Sequence, residues 1–173
     1  MVFIRKITDS KWEDNYDEKK DVHAECLKDL KTTDNKLSVW DFQTDEDIKR
    51  VVALLAVNGD NEPPANARVV LFTDEDLKNR NISFEKTKHC NPISINVSTA
   101  NHYDLYELKV GSICDFARLI AKKYADSSNV RVVKKAEIID ILANSAINNE
   151  FDVESIKSDS FKSRIKKAIN ARL

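Results

Sequence analysis

The tetrapeptide Thr-Asp-Glu-Asp occurs twice, at Thr44–Asp47 and Thr73–Asp76, 29 residues apart, each time directly after a run rich in β-formers. At a helix start, a Thr hydroxyl accepts the backbone N–H three residues on. The acid there reaches back to the Thr N–H, and the other first-turn acids complement the helix dipole. Ile48, Val51, Val52 and Leu55 then recur at three- and four-residue steps, with Asp45–Lys49 and Glu46–Arg50 placed as i,i+4 pairs on the outside. Strand, helix and strand within about 30 residues make a βαβ unit, so Leu37–Gln43 and Arg68–Phe72 are predicted to pair in parallel through a right-handed crossover. No third copy follows, which excludes a repeat array.

Around this unit the periodicity predicts further elements. Val2–Ile7 alternates weakly as a strand, Ser10–Glu13 has capping-box spacing, and a helix is expected over about 17–31. Ile82–Cys90 and Pro92–Val97 read as further strands, the second at an edge. Tyr103, Tyr106, Val110, Ile113, Ala117, Ile120 and Tyr124 form a helical stripe, with a break at Gly111 and a fresh capping box at Ser112–Asp115. Val130–Val133 is a short apolar run, and Lys134–Asn149 and about 160–172 read as helices. The fold class is therefore α/β, with α+β as the alternative: a small mixed or parallel sheet containing a βαβ unit, then a helical C-terminal half. The 173 residues suit one domain, 1–173, with an α/β part over 1–99 and a helical part over 100–173.

Glycine occurs only at positions 59 and 111. Dinucleotide-binding, P-loop and nucleophile-elbow motifs all need glycines at fixed spacings that this chain lacks. No apolar run approaches the roughly 20 residues that span a bilayer, so no membrane contact is expected. Three widely spaced cysteines, Cys26, Cys90 and Cys114, argue against a disulfide framework and suit the reducing cytoplasm. Lys-, Asn- and Ile-rich usage suggests a bacterial chain.

The net charge of −1 is unevenly distributed. Asp9–Asp47 holds 13 acids against 6 lysines, whereas Ile156–Leu173 holds six cations against Asp159. Lys162, Arg164, Lys166 and Lys167 lie opposite the apolar stripe Phe161, Ile165 and Ile169, and are the candidate partner-binding residues. Acids at the carboxyl ends of two parallel strands are the alternative site, and Asp41, Asp45 and Asp74 are its candidate Mg²⁺ ligands. Helix capping explains both tetrapeptides without a metal. Glu107-Leu-Lys109 resembles half of an Mg²⁺-dependent nuclease site but is predicted to lie on a helix, where the two side chains diverge. His23, Cys26, His89, Cys90, His102 and Cys114 lack the paired spacing of structural zinc sites, and Cys90 or Cys114 with His102 and Asp104 makes a weak nucleophile constellation. Trp40, Phe42, Tyr103 and Tyr106 are expected to be core rather than base-stacking platforms. No cofactor is expected.

These features favour a non-enzymatic accessory or protein-interaction domain of a cytoplasmic complex, with a protein partner or a second copy of the chain. Nucleic-acid binding by the basic C-terminal helix is one alternative. A metal-dependent phosphate-processing enzyme with the acidic strand edge is another.

Overall fold

The computed structural model describes residues 1–13, 16–17, 21–87 and 102–173. Its elements are β1 (Val2–Ile7), α1 (Asp9–Trp12), β2 (Tyr16–Asp17), β3 (Asp21–Val22), α2 (Ala24–Leu27), β4 (Leu37–Asp41), α3 (Asp45–Val57), β5 (Asn66–Thr73), α4 (Asp74–Lys78), β6 (Ser83–Lys86), β7 (His102–Tyr106), α5 (Val110–Ala125), β8 (Val130–Lys134), α6 (Lys135–Ile147) and α7 (Asp159–Asn170). Six strands form one sheet in the order β6-β7-β4-β1-β5-β8, and β2 and β3 pair separately. This is an α+β fold whose main sheet is antiparallel.

The crossover unit read from the tetrapeptides is present but split. β4 and β5 run in the same direction, and β1 lies between them, antiparallel to both. Phe3 therefore faces Asp41 on one side and Phe72 on the other. Phe3 and Ile4 lie on opposite faces of the sheet and both have no exposed surface, as expected of a strand buried on both sides. Direct pairing of Leu37–Gln43 with Arg68–Phe72 is thus corrected: each strand finds its partner in β1.

Of the described residues, one compact unit takes 1–42, 68–87 and 102–131, and a second takes 43–67 and 132–173. In the first, alternate residues Phe3, Ile7, Val39, Val70, Phe72, Tyr103 and Leu105 share a core with Trp12, Leu77 and the α5 residues Phe116 and Ile120. Phe3 meets Tyr103 edge-on with ring centres 5.2 Å apart, and Phe72 meets Phe116 at 5.4 Å. In the second unit, α6 packs against both α3 and α7. Ile48, Val51, Leu142, Phe161 and Ile165 there have at most 2% exposure.

Four further sequence expectations are overturned. The helix over 17–31 shrinks to α2, with the β2–β3 pair before it, because residues 13–21 offer no continuous apolar face. Near its start, Ser10 does not cap. Thr8 precedes α1, and its N–H and hydroxyl both donate to Asp29 at 2.8 Å. Tyr103 and Tyr106 lie on a strand, since His102–Tyr106 pairs with both β4 and β6. Helix α5 begins at Val110 after Lys109, two residues before the expected box, and Gly111 sits in its first turn without breaking it. Pro92–Val97 lies outside the described residues.

Both tetrapeptides form complete capping boxes. The Asp47 N–H donates to the Thr44 hydroxyl at 3.2 Å and the Thr44 N–H to the Asp47 carboxylate at 2.9 Å; Thr73 and Asp76 repeat this at 3.1 and 2.8 Å. Thr44→Ala and Thr73→Ala are each expected to cost about 1 kcal/mol. Urea denaturation of the two variants checks this.

Candidate interaction surface

Helix α7 is held by its apolar side. Ser158 caps it by accepting the Phe161 N–H, and Phe161 and Ile165 are fully buried. One turn apart, these two fix which residues point outward: Arg164, Lys166 and Lys167 are exposed, and Lys162 is half-buried. Ile169, the third member of the stripe, is half-buried.

The candidate cations are not a bare positive face. Arg164 pairs with Glu62 at 2.7 Å, Lys162 reaches Glu154 at 3.6 Å, and Lys166 also pairs with Glu154. Arg172 pairs with Asp140 and Lys157 with Asp60. Glu62, in the turn after α3, also takes Lys135 at 3.2 Å and the Ser160 hydroxyl at 3.2 Å. Lys135 and Arg164 hold the Glu62 carboxyl below its ordinary pKa, and Lys166 does the same for Glu154. Lys167 forms no ion pair among the described residues. The sequence located these cations; it did not show that their counterions are Asp60, Glu62, Asp140 and Glu154.

The acidic strand edge is built differently from the metal reading. Asp74 accepts the Lys78 ammonium at 2.7 Å and the Met1 ammonium at 2.9 Å, which together push its carboxyl down to about 2. Two ammonium groups thus occupy the side on which a cation would have to be held. Asp76 completes its cap and pairs with Lys123 at 2.8 Å, and Asp41 closes β4 opposite Phe3. Asp45 lies in the first turn of α3. Among the described residues, no group of three or more His, Cys, Asp or Glu side chains could hold a metal ion.

A carboxyl whose pKa is depressed on folding stabilises the fold above its unfolded value, near 3.8, and this contribution is lost as the pH falls through about 2. The Asp74 carboxyl is expected to titrate near pH 2 by NMR. In Lys78→Ala its midpoint should move up toward 3.8.

The structure places the remaining described candidates as follows. His102 is 3% exposed, its Nδ1 lies 2.7 Å from the Thr87 hydroxyl, and its Nε2 lies 3.7 Å from Asp104. Cys26 is buried and donates to the Lys11 carbonyl at 3.0 Å; Cys114 is half-buried, and both are free thiols. His89 and Cys90 lie outside the described residues. Glu107 occupies a positive-φ turn (φ 55°) between β7 and α5, so Glu107-Leu-Lys109 lies on neither a helix nor a strand. Trp40 and Tyr103 are core residues, 3% and 8% exposed. Among the described residues, no helix is long and apolar enough to cross a membrane.

Sequence reasoning missed Asp29 altogether. Besides both Thr8 groups, it accepts the Trp12 indole N–H at 2.8 Å. Its own carbonyl accepts from Arg5 Nη2 at 3.3 Å, while Arg5 Nη1 donates to the Ser38 carbonyl at 2.8 Å. Burial pushes the Arg5 pKa down, and the Asp29 charge partly restores it.

Compared with protein-family models, with curated proteins and with solved structures, the chain matches none.

Proposed function

We propose that this chain is a non-enzymatic accessory domain of a cytoplasmic, bacterial protein complex, and that it meets an acidic protein partner through the outer face of α7. The observation that carries this reading is the division of labour along the helix. Phe161 and Ile165 are fully buried, whereas the Arg164 and Lys166 side chains are 61% and 50% exposed beside Lys167, which has no ion pair among the described residues. Surface ion pairs contribute only about 0–1 kcal/mol, so a partner's carboxylates can replace Glu62 or Glu154 at little cost. Those same acids disfavour nucleic acid, because a phosphate backbone laid along α7 would run beside Glu62, Glu154 and Asp140.

The test is purification of the tagged full chain with nuclease treatment, beside an Arg164→Gln/Lys166→Gln/Lys167→Gln variant. An acidic protein that survives nuclease and falls about tenfold in the variant supports the reading. Retained nucleic acid whose affinity falls with salt at a log–log slope of about −0.9 per phosphate contact replaces it with the nucleic-acid alternative.

A further inference from the structure

The first unit contains a groove of about 590 Å³ where α2, the turn before β4 and the start of α5 come together. Its floor and wall include Leu27, Leu30, Val110 and Ile113, and Val110 is 81% exposed. Among the described residues, the charged ones lining it, Lys31 and Lys109, are both cations. Neither forms an ion pair among the described residues. This differs from α7, where Lys162, Arg164 and Lys166 are all matched with acids.

We propose that this groove docks a segment of a partner protein in which a large apolar side chain is flanked by Asp or Glu. This surface is independent of the α7 reading and rests on other residues. The apolar side chain would cover Val110, removing exposed apolar surface from water. The flanking carboxylates would face Lys31 and Lys109, the charge complement that the described residues do not supply. Helix α5 adds to the same sign, since its cap makes no side-chain hydrogen bond and its first turn holds no acid. An acidic segment is favoured over a neutral apolar one because neutral contact would leave two ammonium groups at the rim with no counterion among the described residues.

The experiment uses the full chain and an array of ten-residue peptides, each with one Leu or Phe between two acids, beside the same peptides with Lys in place of the acids. Acid-flanked peptides are expected to bind, with affinity falling as salt rises, and the Lys-flanked set is expected not to bind. Lys31→Glu/Lys109→Glu should weaken binding about tenfold or more, as should Val110→Asp, with the circular dichroism spectrum unchanged. All three residues are exposed, so these variants leave the core intact. Absence of binding by every acid-flanked peptide, equal binding by the Lys-flanked set, or undiminished affinity in the double charge reversal would overturn the proposal. Tighter binding of decanoate than of any peptide would also overturn it, in favour of a small amphiphile.

Discussion

Phe161→Ala is expected to lower the free energy of unfolding by about 3–5 kcal/mol, the range for emptying a fully buried aromatic site. Phe161 has no exposed surface, and its backbone N–H also closes the Ser158 cap of α7. The cost therefore falls where the helix begins and loosens the face on which the cations are displayed. Urea denaturation measures the total. Hydrogen exchange of α7 separates a local release from a general loss, and the local release should also reduce partner capture by the full chain.

Asp29→Ala is expected to cost about 3 kcal/mol, through a different mechanism. Three hydrogen bonds to its carboxylate disappear at about 1 kcal/mol each, and the Trp12 indole N–H is left without its acceptor in a residue only 2% exposed. The buried Arg5 guanidinium also loses the nearby negative charge that opposes its desolvation. Asp29→Asn, which keeps an acceptor oxygen but not the charge, should fall between wild type and Ala. Denaturation midpoints of the pair check this order, and equal loss in both variants would mean that the charge, not the hydrogen bonds, carries the effect.

What was legible in the sequence was local. The two capping boxes span four residues each, and their geometry depends on nothing farther away, so Thr44 and Thr73 were read as they are found. The apolar spacing of α3, α6 and α7 was equally readable. The central position of β1 was not, because it arises from pairing with strands that begin 35 and 64 residues later. Tyr103 and Tyr106 show a second kind of failure. Their three-residue interval fits a helix, yet Tyr103 and Leu105 also alternate as a strand does, and only the pairing with β4 decides between the two.

The candidate site divides in the same way. Opposition of Phe161 and Ile165 to Arg164, Lys166 and Lys167 is a property of one helix and is visible at 3.6-residue spacing. The pairing of Arg164 with Glu62 links positions about a hundred residues apart, and no local pattern encodes it. Lys31 and Lys109 likewise come together only through the fold.

The proposed surface for a protein partner is α7. Hydrogen–deuterium exchange of the full chain, with and without the protein that co-purifies with it, tests this most directly. Added protection is expected to concentrate in Asp159–Asn170 and to be lost in the Arg164→Gln/Lys166→Gln/Lys167→Gln variant; protection elsewhere with α7 unchanged would rule this surface out.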